Sequence, residues 1–143
     1  MDPHFLSGTA GEIARLGIAE MRLLLSGDQT DGFLSVGEFR GTVGPWTVPH
    51  SHRDLDEFFY VVDGTFRFSC GDQEMEAVAG SFLMVPRRTV HVFSAETDGK
   101  LLVLWTPGGL EQMFLELGRL SPNSITNPAV RAEISKRYDS IPV

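Results

Sequence analysis

His50 and His52 stand two residues apart, Glu57 follows within the same stretch, and His91 lies further along the chain. On an extended strand, residues two apart project from the same face, with Cα atoms roughly 6.5 Å apart. Two imidazole nitrogens at that spacing can converge on one ion. Glu57 begins an aromatic and β-branched run, from which its carboxylate can add an oxygen, and His91 can approach from a later strand across a barrel. Neutral imidazole suits Zn, Fe, Ni or Cu, and a carboxylate widens the range to Mn. A solitary histidine is more often a hydrogen-bonded core residue. Here three of the four histidines fall between His50 and His91, beside a carboxylate. Three histidines and one carboxylate leave about two positions open on a six-coordinate ion, which marks a catalytic site rather than a closed structural one.

The elements that must hold these residues read as strand after strand. Glu20 to Leu25 carries Met21, Leu23 and Leu25 at alternate positions. Gly32 to Arg40 alternates, with Phe33, Ser35, Gly37 and Phe39 on one face. Glu57 to Val62 is followed by an Asp63-Gly64 turn, and Thr65 to Cys70 by a Gly71-Asp72 turn. Gln73 to Val78, Ser81 to Val85, Val90 to Ala95 and Lys100 to Trp105 complete the set. Short strands punctuated by Gly and Asp indicate an all-β sandwich or barrel. After Pro107-Gly108-Gly109 the pattern changes. Leu110, Met113, Phe114 and Leu117 share one helical face. Asn127-Pro128 is an N-cap followed by proline at the first helical position, and starts a second helix that runs to about Tyr138.

Two segments resemble a known family. Gly44-Pro-Trp-Thr-Val-Pro-His50-Ser-His52-Arg-Asp-Leu-Asp-Glu57-Phe-Phe-Tyr-Val-Val-Asp-Gly64 resembles the first cupin motif, G-x5-H-x-H-x4-E-x6-G, at every fixed position. Gly80-Ser-Phe-Leu-Met-Val-Pro86-Arg-Arg-Thr-Val-His91 resembles the second, G-x5-P-x-G-x2-H. Arg88 stands where the family carries glycine, and Ala95 where it carries asparagine. The stretch from Thr106 to Phe114, the Asp28-Gln29-Thr30 turn and the closing Arg137-Tyr138 are similar to small quercetin-dioxygenase-like cupins. The likeness spans roughly residues 20–138. It implies a jelly-roll β-barrel, here with one or two C-terminal helices, that holds one divalent metal on His50, His52, Glu57 and His91. It also implies a metal-dependent enzyme, an oxygenase first and a non-redox cyclase, isomerase or dehydratase second. A binding module without catalysis is the third reading. In the enzyme readings Glu57 doubles as ligand and proton acceptor.

Parity suggests the walls of the site. Phe59 follows Glu57 on its face, and Phe93 follows His91. Phe66 and Phe68 form another pair, Phe39 and Trp46 lie near the first motif, and Met113 and Phe114 can close one barrel mouth. These side chains would suit an aromatic or polyketide-like substrate. The alternative is that most of them are barrel core.

Composition sets the remaining bounds. The 143 residues fit one domain, with a segment 1–18, a barrel 19–107 and a helical tail 108–143. The net charge of -7 and the lack of any basic cluster beyond Arg87-Arg88 argue against a nucleic-acid partner. No apolar run approaches ~18 residues, so no membrane span is expected. The single cysteine, Cys70, allows no internal disulfide, and the first residues do not read as a secretion signal. A reduced, cytoplasmic setting is the expectation. A homodimer is expected, since small barrels leave sheet edges and apolar faces for a second copy, with Phe5 and Leu6 in a candidate exchange arm.

Overall fold

Alternation along the strands dictates the architecture, and the computed structural model, which describes residues 1–143, follows it closely. One six-stranded sheet has the order β1 (Ile13–Arg15), β2 (Ala19–Leu25), β3 (Ser35–Gly41), β11 (Gly99–Thr106), β6 (Asp56–Asp63), β9 (Phe82–Val85). The second has the order β12 (Ile141–Pro142), β5 (His50–Ser51), β10 (His91–Ala95), β7 (Thr65–Cys70), β8 (Gln73–Val78), with β4 (Gly44–Pro45) beside β10. Every pairing is antiparallel. This is the jelly-roll barrel that the resemblance implies.

The inward face of each strand is apolar. Leu101, Val103 and Trp105 of β11 meet Phe59 and Val61 of β6, and Phe66, Phe68 and Phe93 come from the opposite sheet. Their rings interlock, with centroids 5.1 Å apart for Phe59 and Phe68 and 5.0 Å for Phe68 and Phe93. Turn chemistry fixes the register. Gly64 has φ +81°, and a Cβ there would collide with the Asp98 carbonyl oxygen, so the β6–β7 turn admits only glycine.

The strand expected over Gly32 to Arg40 begins only at Ser35. Before it, Ser26 caps a 3-10 helix, Gly27–Thr30, and Asp31 and Gly32 turn the chain with positive φ. Phe33 is consequently left outside the sheet, 65% exposed, while Ser35, Gly37 and Phe39 point inward as the alternation requires.

The tail holds α1 (Glu111–Leu117), a one-turn α2 (Pro122–Ile125) and α3 (Pro128–Ser135). The first and third lie where helices were expected, with Asn127 capping α3, but α3 ends at Ser135 rather than near Tyr138 and residues 136–139 form a turn. The second was not anticipated. Its signal is Ser121-Pro122, a capping serine with proline at the first helical position. After α3 the chain returns to the barrel, where β12 pairs with β5. The N-terminal segment lies along β2 of its own chain. The Leu24 carbonyl accepts from His4, and the Ala10 carbonyl accepts from Arg22.

Candidate metal centre

His50 and His91 face each other across the β5–β10 pair, and Glu57 on β6 reaches toward them from the other sheet. His52 follows β5 immediately. One donor atom from each of the four residues lies within 4.8 Å of the others, and all four side chains are buried.

The imidazoles are oriented from behind. Nδ1 of His50 contacts the Val48 carbonyl at 2.7 Å, Nδ1 of His91 contacts the Thr89 carbonyl at 2.9 Å, and Nδ1 of His52 contacts the Asp139 carbonyl. A carbonyl oxygen only accepts, so each Nδ1 carries the hydrogen and each neutral ring turns an Nε2 lone pair inward. Backing of this kind is what metal-ligating histidines need to fix tautomer and ring angle.

The inward atoms do not satisfy one another. Glu57 Oε1 lies 2.8 Å from His91 Nε2 and 3.4 Å from His52 Nε2. A carboxylate oxygen and imidazole lone pairs are all acceptors, so this approach requires a proton or a cation between them. His52 Nε2 is buried without a hydrogen-bond partner. Burial lowers the His50 pKa to about 4, with His91 adding to the effect, so His50 is neutral and able to ligate at ordinary pH. Burial opposes charge on His52 too, but Glu57 outweighs it and raises the His52 pKa. Burial would raise the Glu57 pKa, yet His52 and His91 hold it well below the usual carboxylate range. A carboxylate facing three imidazole nitrogens fits one divalent cation.

The fold, the two motif segments and the cluster coincide with a known family profile. The family described as "Cupin domain" matches residues 39–107, which contain all four cluster residues. The chain belongs to the cupin superfamily. Among curated proteins, the cupin is 30% identical over 117 residues to a Bacillus subtilis protein named quercetin 2,3-dioxygenase. That match takes in 81% of this chain and 35% of the relative, so the chain spans about a third of its relative's length. Among solved structures it is similar to KdgF from Halomonas sp., with TM-score 0.68 and 18% identity over 78% of this chain and 99% of that one. It is also similar to Streptomyces Pac13, described as a nucleoside dehydratase, with TM-score 0.63 and 15% identity over 77% and 88% of the two chains. At these identities the structural likeness establishes the fold.

The motif departures are visible in the cupin's backbone. Arg88 has φ +68°, the left-handed conformation that the family's glycine accommodates. Its amide N–H donates to the His52 carbonyl, so the turn is tied to the cluster. Ala95 is buried on β10 opposite Phe66.

The aromatic residues divide into three groups. Phe59 and Phe68 line an apolar cavity of about 210 Å³ with Met75, Ala77 and Leu83, in the gap between β8 and β9, the free edges of the two sheets. Phe59 lies on the Glu57 face of β6 with its ring 6.4 Å from that of His91, so one wall residue of the cavity neighbours the cluster, while none of the four cluster residues lines it. Phe66 and Phe93 pack on Trp46, whose indole N–H donates to the Thr42 carbonyl. Phe39 and Phe114 pack instead on Trp105, and Met113 is buried in α1. A larger surface groove, about 430 Å³, is walled by Arg15, Glu20, Arg40, Asp63 and Lys100 and contains none of the cluster residues. Its breadth and charge make it the weaker candidate for a small aromatic ligand.

Two residues of the site were missed by sequence reasoning. Trp105 donates its indole N–H to Glu57 Oε2 at 2.6 Å. Asp139 supplies the carbonyl behind His52, and its carboxylate accepts from the Arg53 and Asp54 amides. No local pattern marks either one.

Proposed function

We propose that this cupin is a metal-dependent oxygenase acting on a small aromatic or polyketide-like substrate. The observation that carries the reading is the convergence of three imidazole lone pairs and one Glu57 oxygen, with an apolar cavity reached through the neighbouring Phe59 ring. The relative named quercetin 2,3-dioxygenase supports the reaction class. His50, His52, Glu57 and His91 would hold one divalent ion. That ion would supply Lewis acidity and, for a redox-active metal, a path for electrons to O2. Phe59, Phe68, Met75 and Leu83 would seat the apolar part of the substrate and exclude water. Glu57 Oε1, which faces the cluster while Oε2 is engaged by Trp105, would partly leave the ion as it accepts a proton from an acidic substrate hydroxyl.

A non-redox dehydratase, cyclase or isomerase is the second reading, favoured by the same ligand set and by the fold shared with Pac13. We further propose a homodimer in a reducing, cytoplasmic setting. The unpaired Cys70 supports the setting. The dimer is supported by the outer faces of β6 and β9, where Phe58 pairs with Met84 and Tyr60 with Phe82. There Phe82 is 64% and Met84 44% exposed. No helix is long and apolar enough to cross a membrane.

The test begins with metal analysis of untagged protein, alongside His50→Ala and His91→Ala. Both variants should keep the barrel's circular dichroism and lose most bound metal. Oxygen uptake with a flavonol panel then separates the two chemistries. Full metal occupancy in both variants sinks the site, and product formation without oxygen uptake moves the protein to the second reading.

A further inference from the structure

A carboxylate has two oxygens, and those of Glu57 have different neighbours. Oε1 faces His91 and His52, whereas Oε2 accepts the indole N–H of Trp105 at 2.6 Å. We propose that Trp105 is a positioning residue of the metal centre, engaging Oε2 so that Glu57 reaches the ion through Oε1 alone. The inference rests on the reading that a divalent ion sits in the cluster.

The donor is held from every side. Trp105 is fully buried, stacked on Phe114 with centroids 5.6 Å apart and an interplanar angle of 27°, and edge-on to Phe39 at 6.0 Å. Gly37 on β3 makes room for it, since a Cβ there would stand 3.2 Å from the indole and 3.0 Å from the Met21 sulfur. The β6–β11 register sets Trp105 directly opposite Glu57, so the donor cannot slide away without unpairing the central strands. Indole is a donor only, and neutral, so it can neither ligate the ion nor compete for its charge. A buried N–H left without an acceptor is costly, which binds the two residues to each other.

The consequence concerns open positions. Carboxylates bind cations through one oxygen or two. With three imidazoles, a two-oxygen Glu57 would leave about one position on a six-coordinate ion, and a one-oxygen Glu57 about two. Trp105 therefore preserves the second opening, the one that allows two small molecules to meet at the ion.

The experiment uses the full chain loaded with Mn(II), read by water-proton relaxivity. Trp105→Phe keeps the ring stack and removes the N–H. It should still bind Mn(II), but with inner-sphere water relaxivity lowered by roughly half, as one position closes. Met21→Leu disturbs the same packed layer beside Gly37, keeps the N–H, and should leave relaxivity at the wild-type value. Equal relaxivity in wild type and Trp105→Phe overturns the inference. An equal fall in Met21→Leu and Trp105→Phe also overturns it, since loosened packing would then suffice. Wild type that binds neither Mn(II) nor Zn(II) overturns the metal-site reading instead. The wild-type protein gives a second measurement that needs no variant to fold. The Trp105 indole N–H resonance should keep its hydrogen-bonded, downfield position when diamagnetic Zn(II) is added. An upfield move to the free-indole position on Zn(II) binding would show Oε2 released to the ion and would overturn the inference.

Discussion

The His52 imidazole and the Asp139 carbonyl share a hydrogen bond across 87 positions of sequence. Asp139 then closes the contact with its own carboxylate, accepting the Arg53 and Asp54 amides at 2.7 Å each. The returning tail thus sets the angle of one ring of the cluster. Asp139→Ala removes the carboxylate clamp and frees the carbonyl to drift. Metal affinity should fall about tenfold, in the range typical of residues that support a ligand, with the barrel's melting little changed. Titration calorimetry with Zn(II) reads this, and unchanged affinity would place the tail outside the site's control.

Glu57→Gln separates the two oxygens chemically. An isolated amide could still offer its oxygen to an ion, but here Trp105 claims it, because two donors cannot face each other. The amide nitrogen is left pointing at His52 and His91, where it can donate to their lone pairs. The variant should fold at least as stably as the apoprotein and bind metal at least tenfold more weakly. Wild-type affinity by calorimetry would count against this arrangement.

Arg88→Gly restores the residue type that the left-handed turn prefers. An L-residue at φ +68° carries about 1–2 kcal/mol of strain, offset in part by the ~0.5–1 kcal/mol entropic cost of glycine. The variant should gain up to about 1.5 kcal/mol in urea unfolding. A loss would mean that the arginine side chain contributes more than its backbone costs.

The tail is pinned by a clip with its own pH window. The Tyr138 hydroxyl donates to Glu116 at 2.6 Å, and Arg137 pairs with the same carboxylate. The Tyr138 hydrogen bond, with Arg137 behind it, holds the Glu116 pKa below its ordinary 4.5. The Glu116 carboxylate raises the Tyr138 pKa above its ordinary 10.0. A lowered carboxyl pKa stabilises the fold above 4.5, and that contribution fades as pH falls through the folded value. A raised phenol pKa stabilises it below 10.0, and that contribution fades as pH rises through the folded value. Amides in residues 138–143 should therefore lose hydrogen-exchange protection below pH 4.5 before the barrel does. Simultaneous loss in tail and barrel would deny the clip an independent role.

The outer face of β6 and β9 gives the assembly prediction. Light scattering at micromolar concentration should return twice the 15.8 kDa chain mass, and Phe82→Lys should return the single mass. A wild-type monomer would refute the dimer. A Phe82→Lys dimer would move the interface elsewhere, with the segment carrying Phe5 next in line.

What was legible in the sequence follows from the range of the interactions. Thr65 to Cys70 and Gln73 to Val78 are strands to the residue, because Asp63-Gly64 and Gly71-Asp72 fix both ends locally. The four-residue cluster was legible because alternation sets the face of His50 and His52, and the motif residues mark the rest. Trp105 and Asp139 were not, since each acts through a register or docking contact between distant segments. Phe33 misled for a related reason: alternation continues through it, but the positive φ of Asp31 and Gly32 turns the chain before the strand begins.

The pairing of β12 with β5 also has a temporal side. A ribosome delivers His50, His52, Glu57 and His91 well before Asp139 and Ile141. A nascent chain holding all four donors still lacks the segment that aims His52 and flanks His50. The complete donor arrangement therefore exists only once the tail has docked.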